Sequence, residues 1–297
     1  MKTISLALFA AMVVAGCAIG PNYSRPDVEV PPQYKEAGEW VVAQPRDAAP
    51  KGRWWEVFND PVLNTLMPQV EVSNQNLRAA EARYRQARAA VASARSGLFP
   101  TLGGSADASR SRSGEGYSVA IDARWEIDVW GRIRRLVEAA RAGEEASQAD
   151  LEAALLSLQA ELATNYFQLR VTDAQRNLFD DTVVAFQRNY DMTQNRYRAG
   201  VAARVDVVQA ETQLLSAQAQ AIELKATRAQ LEHAIAVLIG KPPASFTLEP
   251  TKFQVRLPDV PPGVPSTLLE RRPDIAAAER RMAADNARIG VAQAAYF

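Results

Sequence analysis

The chain of 297 residues has one cysteine, Cys17, and one histidine, His233. A lone cysteine excludes an intrachain disulfide. A lone histidine, set in an Ala-rich helical stretch, is read as a packing or surface residue. The sequence holds no Ser/His/Asp set, no metal-ligand cluster and no phosphate-binding glycine loop, so no enzyme activity, metal or cofactor is expected. A charge excess of one sign is missing too. Its 34 Lys+Arg balance 34 Asp+Glu, which gives no footprint for nucleic acid. Apolar runs are short. Ile4–Val14 is about half of the ~20 residues a membrane-spanning helix needs.

That short run has a telling address. Lys2 precedes it, and Val14-Ala15-Gly16-Cys17 ends it. Small residues before a cysteine, directly after an apolar core, match a bacterial lipoprotein signal. Residues 1–16 are expected to be removed and Cys17 to carry a thioether-linked diacylglycerol and an acylated amine. Several acyl chains anchor stably where one would not. An ordinary cleaved signal is the other reading. Ala18, in place of an aspartate, favours sorting to the outer membrane. Prolines 21, 26, 31, 32, 45 and 50 make residues 17–53 an extended tether or a strap on the surface.

Residues 54–100 form a first helical segment after Trp54, Trp55 and Phe58. Asp60-Pro61 is a helix start, and a kink or break is expected at Pro68. Between Arg132 and Ala199 there is no proline and one glycine, Gly143. Leu151, Leu155, Leu158, Leu162, Tyr166 and Leu169 recur at helical spacing. As one helix this stretch would measure roughly 100 Å. Gly200 interrupts it, and a second helix is expected near Asp206, with Asp206 as N-cap and Gln209 completing a capping box. Then Val207, Ala210, Leu214, Ala217, Ala221, Leu224, Arg228, Leu231, Ile235 and Leu238 keep a 3-4 repeat, apolar except for Arg228. Such a repeat means coiled-coil packing. Residues 132–239 therefore read as a helical hairpin with its tip near 199–205.

Residues 101–131 change period. Tyr117, Val119, Ile121, Ala123, Trp125, Ile127 and Val129 alternate with Ser118, Ala120, Asp122, Arg124, Glu126, Asp128 and Trp130. A period of two sorts side chains onto two faces. Leu102, Gly104, Ala106 and Ala108 form a weaker partner strand. In a lipidated envelope protein the pattern fits a membrane β-hairpin. Val119, Ile121, Trp125 and Ile127 would then face lipid, and Asp122, Arg124, Glu126 and Asp128 a lumen. Arg132, Arg134 and Arg135 are read as a membrane-edge anchor at the strand base.

Shifting residue 76 onto residue 274 aligns two 24-residue stretches that both end in phenylalanine, Phe99 and Phe297. Seven positions are identical, among them Ala79/Ala277, Glu81/Glu279 and Arg83/Arg281. Residues 240–297 are accordingly an equatorial linker and the start of a second repeat, and the chain is expected to be an N-terminal fragment.

These pieces resemble the TolC-like outer-membrane efflux factor family, in its OprM/NodT-type lipoprotein branch. The stretches that carry the likeness are Cys17-Ala18-Ile19-Gly20-Pro21-Asn22-Tyr23, Trp125 to Arg132, Arg196-Tyr197-Arg198-Ala199-Gly200, and Arg271-Arg272-Pro273-Asp274-Ile275. The resemblance implies a mainly α fold with a membrane β-hairpin. Long α-helical hairpins would form a periplasmic tunnel, and strands from three protomers would share one outer-membrane barrel. It implies a homotrimer that passively conducts small molecules, docked to a periplasmic adaptor and an inner-membrane pump of RND type. Ala199, Gly200, Val201 and Asp206 would lie at the tip that meets the adaptor. Pro68 and the absent second half depart from the family pattern. The alternative is a non-pore structural or adaptor lipoprotein, which explains residues 132–239 but neither the alternation nor the repeat.

Overall fold

A computed structural model describes residues 18–24, 52–112, 114–251 and 272–297. The expected signal peptide, Cys17 and most of the tether and of the 240–271 linker lie outside the described residues. The protein is mainly helical, with one antiparallel β-hairpin. Its elements are α1 (Pro61–Ser73), α2 (Gln75–Ser96), β1 (Thr101–Ser111), β2 (Gly114–Arg124), α3 (Arg132–Arg198), α4 (Arg204–Leu238) and α5 (Pro273–Ala294). A 3₁₀ turn, Trp54–Phe58, precedes α1. The chain divides into two compact units. One holds residues 79–153 and 263–297 with the N-terminal segment; the other holds 50–78 and 154–262.

In the second unit, Asp60 caps α1. Its Oδ1 accepts from the backbone N–H groups of Val62 and Leu63, both at 2.9 Å, and Pro61 takes the first helical position, where no donor is needed. The expected break at Pro68 does not occur, because α1 runs through it. The break falls at Asn74, whose backbone is extended. Its Oδ1 accepts from Asn76 and Leu77, starting α2, while its Nδ2 donates to Leu238 O at 2.9 Å. A side chain that serves two helix ends at once is a stronger stop than a proline whose neighbours can adjust.

The core of this unit joins Leu63, Met67 and Val70 of α1 to Leu162, Tyr166 and Leu169 of α3 and to Ile235 and Leu238 of α4. Each such side chain, fully buried, stabilises the fold by about 1.5–3 kcal/mol. The 3-4 repeat of α4 is its buried seam: Ala210, Leu214, Ala217, Ala221, Ile235 and Leu238 are all buried.

The first unit packs through smaller residues. Ala149 of α3 meets Ala276 and Ala277 of α5, where a single methyl per residue permits close helix approach. α2 and α5 each span 22 residues, with bounds offset by the same shift that aligned their sequences. Phe297, the end of the second copy, stacks on Trp130 with ring centroids 4.8 Å apart.

Candidate functional site

The hairpin presents the apolar face that the alternation predicts, and supplies its partner. Register pairs Leu102 with Ala123, Gly104 with Ile121, Ala106 with Val119 and Ala108 with Tyr117. Directly paired residues in an antiparallel ladder share a face, so one face of both strands is apolar or glycine over these positions. The other carries Thr101, Ser105, Asp107 and Ser109 against Arg124, Ala120, Ser118 and Gly116, with Asp122 lying against Gly103. An ion pair, Arg110 to Glu115 at 3.1 Å, sits at the turn end of the apolar face. Val119 is 82% exposed and Ile121 84%. A strand pair that leaves both faces open does not bury enough surface to stand alone in water.

Strand β2 stops at Arg124, short of the 131 boundary that the alternation suggested. Trp125 turns back and donates from Nε1 to Leu98 O at 3.2 Å. Glu126 and Asp128 thus leave the row of Asp122 and Arg124. Glu126 takes both ends of the Arg132 guanidinium, at 2.9 and 2.7 Å. Asp128 accepts from the backbone N–H groups of Ile133 and Arg134, each at 2.9 Å, at the first turn of α3. The unsatisfied amides and positive end of a long helix hold a carboxylate better than a strand face does. Ile127 lies in the same connection, 65% exposed.

The three arginines after the hairpin separate. Arg132 pairs with Glu126 and Arg134 with Asp128. Arg135 corrects the expectation of a membrane-edge anchor: it is 3% exposed and grips the chain at Ile19, Gly20 and Asn22. Its position in the sequence carried no sign of this partner, which is more than a hundred residues away.

At the tip, α3 ends in a Schellman motif. Val201 N–H reaches Arg196 O at 3.0 Å, Gly200 N–H reaches Tyr197 O at 2.9 Å, and Gly200 has φ +76°, a conformation that favours glycine. Ala199 closes the last α-turn onto Asn195 O. Helix α4 begins at Arg204, near Asp206 as expected, but its N-cap is Ala203 and not Asp206. Asp206 occupies the third helical position and accepts from the Ala203 N–H at 3.0 Å. Asp206 therefore supplies the back-reaching half of a capping box, with Ala203 as N-cap. Gln209 is not part of it.

A second apolar stripe on α4 escaped the sequence reading. Val208, Leu215 and Ile222 are seven residues apart and all are more than half exposed. Their spacing was legible. It was hidden behind the stronger 3-4 repeat of the buried seam.

Tyr166 anchors the second unit. Its hydroxyl donates to Asp60 Oδ2 at 2.6 Å, and the Arg170 guanidinium lies 5.0 Å from its ring. Burial, then the bond to Asp60, pushes its pKa up to about 12. Among the described residues no cluster could hold a metal ion, and no helix is long and apolar enough to cross a membrane.

A family model described as "outer membrane efflux protein" matches residues 66–241. The chain is 32% identical to the solvent efflux pump outer membrane protein SrpC of Pseudomonas putida, over 100% of this chain and 66% of the relative. It is 30% identical to Nodulation protein T of Rhizobium leguminosarum bv. trifolii, over 97% and 64%. The open-state structure of the MtrE outer membrane channel of Neisseria gonorrhoeae is similar in fold, with a TM-score of 0.74 and 33% identity over 95% of this chain and 64% of that one. The chain thus spans roughly two thirds of the length of the curated relatives it matches.

Proposed function

Because the chain belongs to the outer membrane efflux protein family, we propose that it is part of a passive export duct in the outer membrane. One observation carries this reading: a two-stranded hairpin with a continuous apolar face, exposed on both sides, joined through residues 125–131 to a helix of 67 residues. Lipid is a natural cover for the apolar face, and a wetted lumen suits the polar one. In this reading Val119 and Ile121 face lipid, and Asp122 and Arg124 face the lumen. Trp125 and Ile127 sit at the membrane edge, where an aromatic ring tolerates both phases.

In this reading the two strands are part of a larger barrel to which other copies of the chain also contribute. The exposed stripe of Val208, Leu215 and Ile222 on α4 supports lateral helical neighbours, as in a homotrimer. The tip at Ala199, Gly200 and Val201 is the surface offered to a periplasmic adaptor, with an inner-membrane pump supplying the energy. Cys17 carries the lipid anchor. Relatives named for solvents, antibiotics or cations differ in cargo, and substrate choice is assigned to the pump.

The test is electrophoresis of detergent-extracted outer membranes, without heating. A heat-sensitive trimer is expected. A monomer freely released by mild detergent would favour the adaptor lipoprotein instead.

A further inference from the structure

The residues that follow Cys17 are not a loose tether. Ile19 N–H donates to Trp130 O at 3.1 Å, in the connection between hairpin and α3. Arg135 then grips the segment at three points: Nε to Ile19 O at 3.2 Å, Nη2 to Gly20 O at 2.8 Å and Nη2 to Asn22 Oδ1 at 2.9 Å. Its remaining nitrogen, Nη1, binds Glu138 at 2.7 Å. From α5, Asn286 Nδ2 donates to Pro21 O at 2.9 Å. The backbones meet with no room for side chains. A Cβ on Gly20 would collide with the Gly290 backbone of α5, and one on Gly131 would come within 2.7 Å of Ala18 Cα.

These contacts make a built intramolecular site. A buried guanidinium needs acceptors, and the two carbonyls and the amide oxygen of the segment supply them. A flexible tether would not repay the entropy of being held in this way. Two glycines, on different elements, leave the space in which it lies.

We propose that Ala18–Asn22 is a docked strap that fixes the N-terminal lipid anchor to the junction of hairpin and helix, with Arg135 as the positioning residue. The proposal rests on the reading of Cys17 as lipidated. Cys17 is one peptide bond from Ala18, and Ala18 lies against Gly131. The anchor then sets the depth of the hairpin in the membrane, which a leash of thirty or more disordered residues could not do. The same contacts tie α5 to the hairpin base.

The experiment is chymotrypsin digestion of the full chain in outer-membrane vesicles, following cleavage after Tyr23. That cut releases the peptide Cys17–Tyr23, whose mass reports acylation. The bond is expected to be protected in the unaltered protein. Arg135→Met should speed its cleavage by on the order of tenfold or more, and Asn22→Ala by a smaller factor. Arg135→Lys should resemble Arg135→Met, because an ammonium cannot span the same acceptors. Asn22→Ala alters only the strap, so its effect cannot come from misfolding of the helices. Equal cleavage rates in all four proteins, with unchanged helical circular dichroism, would overturn the strap. A protected but unacylated peptide would instead remove the lipid reading and leave the strap standing.

Discussion

Arg228 of α4 donates from Nε to Asp173 Oδ1 of α3 at 2.7 Å, at the one position of the seam where the apolar repeat lapses. Asp173 is 2% exposed and also faces Arg170. The other end of the Arg228 guanidinium reaches Leu248 O and Glu232, and Glu232 accepts from the Leu248 N–H at 2.6 Å. Burial works against the charge on Arg228, but Asp173 and Glu232 outweigh it and hold its pKa above the ordinary value. The network pins helix register and binds the chain after α4 to the helix pair.

Arg228→Leu would complete the apolar repeat, and by pattern alone should stabilise it. The opposite is expected. Buried Asp173 would lose its nearer cation in a dry seam, at a cost of about 3–5 kcal/mol. Thermal unfolding followed by helical circular dichroism measures this. A melting temperature equal to or above that of the unaltered protein would contradict it.

Tyr166 sets an alkaline limit. Its pKa is about 12 in the fold and ~10 in an unfolded chain. Above pH ~10 the unfolded state has lost the proton while the folded state keeps it, so stability falls with pH. The contribution is full below pH ~10 and gone above about 12. Unfolding midpoints measured between pH 9 and 12 should decline, and decline less steeply in Tyr166→Phe. Parallel declines would assign the effect elsewhere.

Ile121→Arg places a charge on the apolar face of the hairpin. Insertion should be impaired by roughly 2–4 kcal/mol if the site is near the membrane midplane. Arg124→Gln, on the other face, should insert normally. Quantifying each variant in outer-membrane fractions decides the point, and equal amounts of both would remove the lipid-facing assignment.

Asp206→Ala removes the carboxylate that binds the Ala203 N–H. A loss of about 0.3–1 kcal/mol is expected, confined to the tip and visible as faster hydrogen exchange at Ala203 and the first turn of α4. Unchanged exchange would mean that the carboxylate serves some other purpose.

Much of this was legible in the sequence because it depends on local periodicity. The seam of α4, the apolar face from Tyr117 to Ala123 and the tip at Gly200 follow from spacings that the backbone enforces. The internal repeat aligns α5 with α2, and the two helices have matching bounds. What escaped depends on distant partners. The alternation runs on to Val129, yet Glu126 and Asp128 are drawn to Arg132 and the free amides of α3. Pro68 looked like a break, and Asn74 made it by bonding to Leu238. Arg135 looked like a surface charge until Ile19, Gly20 and Asn22 folded onto it.

The central claim is that the hairpin lies in a membrane with one face in lipid and the other in water. Spin labels placed one at a time from Tyr117 to Arg124, in outer membranes, test it through their relative accessibility to oxygen and to a water-soluble nickel reagent. A period of two is predicted, with Tyr117, Val119, Ile121 and Ala123 favouring oxygen and Ser118, Ala120, Asp122 and Arg124 favouring nickel. Uniform aqueous accessibility at all eight positions would contradict it.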